Sequence, residues 1–119
     1  MPNGFIGYQG EKIYLIDVSG ITDSREFFRT LDAAAVDIRS CPLNSVRTLV
    51  LTSNARFDSQ VVEKFKLFAK GNTPYVEKSA IVGLSGIQGV VLNAVRVFTK
   101  RKFEVFKDLE EAKKYLVSD

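Results

Sequence analysis

Asp58, Ser59 and Gln60 open the stretch FDSQVVEKF, where an apolar run, LVL at 49–51, gives way to a polar turn and then to a helical pattern. A serine at the start of a helix that follows a strand is placed for chemistry. Phosphate added there would meet the positive end of the helix. Other small polar groups recur at similar junctions. Asp17 and Ser19 close the apolar segment 12–18, Thr52, Ser53 and Asn54 follow 46–51, and Ser85 follows 79–84. Parallel α/β sheets take ligands outside the carboxyl ends of their strands. Asp17, Ser19, Ser53, Asn54, Asp58, Ser59 and Ser85 therefore form a candidate rim for a ligand or partner. The competing explanation is that Ser, Asn and Asp serve turns and helix caps.

The chemistry open to such a rim is narrow. The chain has no histidine and one cysteine, Cys41. That removes Ser-His-Asp and Cys-His arrangements and nearly every zinc site, so no metal and no cofactor is expected. A phosphoaspartate receiver needs clustered carboxylates and an acceptor Asp after a central strand, but 46–51 ends in Thr52 and Asp17 stands alone. The glycine-rich turn GLSGIQG at 83–89 fits neither a P-loop nor a dinucleotide fingerprint. No catalytic residue is assigned, and an enzyme is the weakest of three functional readings.

A second candidate surface lies further on. At 100° per residue, Ile87, Val90, Val91, Ala94, Val95 and Phe98 share one face of a helix over 87–100. Gln88, Asn93, Arg96, Thr99 and Lys100 fall on the other, with Leu92 among them, and KRK at 100–102 follows. The expectation is an exposed Leu92 beside Arg96, Lys100, Arg101 and Lys102, a face suited to an anionic membrane or an acidic partner. The alternative is an ordinary amphipathic helix with basic residues at its negative end.

The remaining pattern supplies the elements that would position these groups. The 119 residues are 45% hydrophobic, with nine Phe and four Tyr, enough for one domain spanning 1–119 with one core. Strands are expected at 4–8, 12–18, 46–51, 79–84 and 102–106. Helices are expected at 21–40, 58–70, 87–100 and 108–117, with Gly71 stopping the second. The order is β-β-α-β-α-β-α-β-α. It predicts an α/β, mostly parallel sheet covered by helices, with the first two strands antiparallel. A net charge of +3 without a dense basic stripe argues against nucleic acid. The absence of an apolar leader and the single cysteine point to the cytoplasm, with peripheral membrane association in the second reading.

The element order and four stretches, LIDVSGIT (15–22), TSNARFDSQVVEKFKLFAK (52–70), PYVEKSAIVGLSGIQGVVLNAV (74–95) and FEVFKDLEEAKKYL (103–116), resemble the SpoIIAA-like group of small bacterial proteins. That fold is shared by STAS domains and CRAL-TRIO lipid-transfer domains. The resemblance implies a non-enzymatic regulatory domain that binds a protein partner through the helix at 58–70. In the anti-sigma-factor antagonists of this group, the switch is the second serine of an Asp-Ser-Ser-Gly motif. Asp58 and Ser59 match its first two positions, but Gln60 stands at the acceptor and Val61 at the glycine. The likeness to lipid-transfer domains implies an alternative, a module at a membrane surface or around an amphipathic lipid-like ligand. There Gly83, Gly86 and Gly89 would act as a hinge for the helix at 87–100.

Overall fold

The computed structural model of the chain describes residues 3–84 and 88–118. Its frame is a five-stranded mixed sheet in the order β1 (Gly4–Tyr8), β2 (Glu11–Asp17), β3 (Val46–Leu51), β4 (Val76–Val82) and β5 (Glu104–Phe106). β1 and β2 form an antiparallel hairpin in which Tyr8 pairs with Glu11. Its two turn residues, Gln9 and Gly10, have φ of 50° and 81°. Positive φ at both positions matches the right-handed twist of the strands they join. β2 to β5 are parallel neighbours in chain order.

Four helices complete the fold: α1 (Ser24–Ile38), α2 (Ser59–Asn72), α3 (Gln88–Thr99) and α4 (Leu109–Val117). Their starts are set by aspartates. Asp23, Asp58 and Asp108 accept hydrogen bonds from the amides of Arg25, Val61 and Glu110. On α1, Phe27, Leu31, Ala34 and Ile38 form one buried stripe at i, i+4, i+7 and i+11.

Right-handed crossovers between parallel strands laid side by side put every connecting helix on one face. The packing follows that rule. Residues of α1, α2 and α3 form one core with Tyr14, Ile16, Val50 and Ile81 of the sheet. The opposite face, carrying Ile13, Leu15, Leu49 and Ala80, is covered by α4 through Ala112 and Leu116. Residues 13–16 of β2 are therefore all buried, as expected of a strand covered on both sides.

Several boundaries differ from the sequence-based expectation. α2 runs through Gly71 to Asn72, and Gly71 leaves the room that the Arg39 guanidinium occupies on its way to the Asn72 Oδ1 and Phe68 carbonyl oxygens. β4 begins at Val76, three residues before the apolar run. Pairing with β3, not side-chain polarity, extends it through Glu77 and Lys78. The expected start of the third helix at Ile87 lies outside the described residues.

Tyr14 ties the sheet to α1. Its hydroxyl donates to Asp37 Oδ2 at 2.7 Å, and its ring meets Phe5 edge-on at 4.9 Å. Burial first, and the Asp37 carboxylate second, hold the phenol well above its ordinary pKa. The folded value exceeds the unfolded value of about 10. The resulting stability is complete below pH 10 and falls away as pH rises above it. Urea midpoints measured from pH 8 upward are expected to fall on the alkaline side, and Tyr14→Phe to flatten that fall while costing about 1 kcal/mol at neutral pH. On the other face, Leu116→Ala is expected to cost about 2–5 kcal/mol in the same assay, because among the described residues α4 alone covers that core as a helix.

Candidate functional site

The carboxyl ends of β2, β3 and β4 come together as anticipated, but their polar groups mainly hold the loops to one another. The Gly20 amide donates to the Ser53 carbonyl at 2.8 Å, the Arg56 amide to the Ile21 carbonyl at 2.9 Å, and the Thr52 amide to the Val82 carbonyl at 3.0 Å. Thr52 Oγ1 also donates to that Val82 carbonyl. Asn54 takes a positive φ of 61° in its turn. Ser53 is exposed and lies close against Gly83. Ser85 and Gly86 lie outside the described residues.

Asp17 and Ser19 stand apart from that contact, beside α1. Asp17 Oδ1 accepts the Ser19 amide at 2.9 Å. Burial works against the Asp17 carboxylate, yet the hydroxyl and amide of Ser19 help outweigh it and hold its pKa below the usual value. Both residues line an open groove of about 460 Å³ with Asn3, Glu26, Arg29 and Asp37. Asp37 already takes the Tyr14 hydroxyl. The groove offers carboxylates, one guanidinium and the hydroxyls of Ser19 and Thr30, with Ser19 bonded to Asp17. Among the described residues, no three of Cys, Asp and Glu gather closely enough to hold a metal.

At the head of α2, Asp58 Oδ1 accepts the Val61 amide at 2.8 Å. Ser59 and Gln60 are exposed in the first turn, and Phe57 packs edge-on against Phe27 and Phe65. The aspartate is thus committed to capping, and Ser59 is an accessible hydroxyl with no base beside it.

The third helix corrects the expected face. Leu92 is not exposed; only 5% of its surface reaches solvent, and Gln88 and Val95 are buried with it. Val90 and Phe98, expected inside, are 69% and 38% exposed, and Val97 is 72% exposed. Valines occur all round this helix, so the apolar pattern does not select one orientation. The Gln88 side chain does. Its Nε2 donates to the Ala55 carbonyl at 2.8 Å and to the Thr52 carbonyl at 3.3 Å, tying α3 to the loop after β3. Gln88, Leu92 and Val95 then share the inner side. Arg101 also leaves the expected membrane face and turns inward to Ala69 and Ser79. Arg96 donates to the Phe103 carbonyl and holds the helix end to the start of β5. Lys100 and Lys102 remain exposed.

The outer surface that results was not legible in the sequence. Val90 and Val97 lie two turns apart on the outside of α3. The Phe98 ring has Lys70 Nζ 5.0 Å and Lys66 Nζ 5.5 Å from its centre, both from α2. Leu67, between those lysines in sequence, is also exposed. The arrangement is an apolar patch bordered by ammonium groups. Beneath it, between α2 and α3, lies a small cavity of about 20 Å³ lined by Phe57, Phe65, Ile81, Leu84, Leu92 and Val95. That is room for about one water-sized probe. The cavity as it stands does not hold an amphipathic ligand; of the glycines expected to form a hinge, Gly83 has a φ of 95° and packs against Ser53, and Gly89 lies within α3.

Gln88→Ala is expected to lower stability by about 1–3 kcal/mol by taking from the Ala55 carbonyl its side-chain donor, while the Thr52 carbonyl keeps the Ala55 amide. Asp58→Ala is expected to cost about 1 kcal/mol, and Ser59→Asp close to nothing; chemical denaturation of the three variants checks the order. No helix among the described residues is long and apolar enough to cross a membrane. Comparison of the chain with protein-family models, with curated proteins and with solved structures finds no match.

Proposed function

We propose that this chain is a non-enzymatic, STAS-like interaction domain that docks an acidic, partly apolar protein partner on the outer surface of α2 and α3. One observation carries the reading: Phe98, Val97, Val90 and Leu67 are exposed together, and Lys66 and Lys70 stand over the Phe98 ring. Such a surface offers apolar area for burial and cations for orientation, the two contributions that a specific interface combines. The STAS-like part is supported by the element order and by parallel strands following one another across the sheet. Gln60 at the acceptor position speaks against the serine switch of the antagonists.

A second reading has its own support. Lys66, Lys70 and Lys100 near exposed Phe98 and Val97 also suit an anionic membrane surface, the peripheral role implied by the CRAL-TRIO likeness. One pair of variants separates the readings. Cross-linking and pull-down with wild type should recover a stoichiometric partner that is lost with Lys66→Glu, Lys70→Glu and with Val97→Asp. Co-sedimentation with phosphatidylcholine vesicles, with and without phosphatidylglycerol, tests the membrane. Binding to the anionic vesicles that salt and charge reversal abolish would replace the protein partner by the membrane. Neither a partner nor vesicle binding would sink both readings.

A further inference from the structure

Arg101 is an inward-turned cation that no carboxylate among the described residues answers. Lys100, at the end of α3, takes a φ of 58°, a left-handed conformation that favours glycine. The turn sends the Arg101 side chain in between β4 and the carboxyl end of α2. Nη1 donates to the Ala69 carbonyl at 2.9 Å and Nη2 to Ser79 Oγ, while the guanidinium carbon lies 4.6 Å from the Phe103 ring centre. Ser79 Oγ shares a 2.8 Å hydrogen bond with Thr48 Oγ1, its neighbour in the β3–β4 register. Thr48, Asn72 and Ser79 are all buried. Burial pushes the pKa of Arg101 down to about 10, so the group is still a cation at neutral pH. Among the described residues Arg101 makes no ion pair.

A core that only had to be closed here would be served by apolar side chains at 48, 79 and 101. A desolvated cation is costly unless something compensates it. The carboxyl end of α2 does part of this through the Ala69 carbonyl. The rest faces a depression of about 140 Å³, walled by Arg101, Ser79, Thr73, Lys78, Glu77 and Lys102. Glu77 lies 3.4 Å from Arg47. The Lys78 ammonium is bound by the Tyr115 and Ser118 carbonyls, which carry no full charge. Lys102, at the lip, pairs with Glu104 at 3.2 Å in an exposed contact that exchanges readily with water. Of the five guanidinium N–H donors, two are committed to the protein.

We infer that this depression, at the amino end of β4, binds a phosphoryl dianion, with Arg101 as its principal ligand and Lys102 turning from Glu104 to close on it. A planar fork of charged donors, with the Lys102 ammonium at the lip beside it, matches the several oxygens of such an ion. At about 30 Å³ per water, the space takes one phosphoryl group and a few waters, so the remainder of a phosphate monoester would lie outside. The site is independent of the α2–α3 docking surface and lies at the opposite end of the sheet from the serine-rich rim.

The test is a titration of ¹⁵N-labelled protein with sodium phosphate at ionic strength held constant with sodium chloride. Saturable shifts confined to the amides of 76–79 and 101–103 are expected, with an apparent Kd of about 1 mM or tighter. Lys102→Glu should weaken binding about tenfold, and Arg101→Gln should abolish it. Arg101→Gln also removes two internal hydrogen bonds; if it does not fold, Lys102→Glu, altered at the surface, carries the test. Soluble dihexanoyl phosphatidic acid distinguishes the source of the group. A response to it without one to inorganic phosphate makes the ligand a lipid headgroup at the same site. Silence toward both, shifts that chloride reproduces, or shifts unchanged by the Lys102 variant overturn the inference.

Discussion

Four parallel strands, β2 to β5, lie side by side in chain order, and the rest of the molecule follows from that constraint. Each crossover has to be right-handed, so α1, α2 and α3 line up on one face in the same order. The second face is left without a crossover helix, and the chain covers it only after β5, with α4. The carboxyl ends of β2, β3 and β4 are brought level, and their loops satisfy one another backbone to backbone. Small polar residues there are what a closed rim of turns requires. A site would need groups left over, and the groove beside Asp17 holds some of them.

The same row explains the exposed apolar surface. α2 packs against both α1 and α3, while α3 ends the row and packs chiefly on α2. A helix at the end of a row buries one flank and leaves the other without a neighbour. Gln88 fixes the rotation of α3 from inside, so Val90 and Val97 face water while Phe98 lies at the seam with α2, beside Lys66 and Lys70. A buried amide donating to two loop carbonyls is more restrictive than any of the valines, since turning it out would forfeit both bonds. The polar contact therefore decides which apolar residues face water.

This also marks where the sequence is informative. The strand and helix order, the capping aspartates 23, 58 and 108, and the stripe from Phe27 to Ile38 could all be read directly, because each rests on local periodicity or on a short-range hydrogen bond. Sequence pattern starts β4 late because Val76 and Lys78 join the sheet by pairing with Val46 and Arg47 of β3, with Glu77 at the register shift between them, and no local pattern records that pairing. Leu92 was placed outside and Val90 inside because hydrophobicity was summed around a helix rich in valine on every side. Gln88 was taken for a surface residue by its type, yet its partners, Thr52 and Ala55, are more than thirty positions away in sequence. Interactions of that range cannot appear in a helical wheel.

Arg101 illustrates the same point with charge. In the run KRK it looks like the middle of a basic surface cluster, and its neighbours Lys100 and Lys102 do stay in water. Once Lys100 adopts its left-handed turn, consecutive side chains leave the backbone in different directions, and only the middle one meets the gap between α2 and β4. Arginine suits that gap better than lysine, because its fork reaches the Ala69 carbonyl and the Ser79 hydroxyl together while its plane lies near Phe103. The buried hydroxyl pair of Thr48 and Ser79 was the available signal. Two directly paired strands each place a polar residue on the same inward face, which a purely structural core has no need of, and an inward cation is the group that accounts for both.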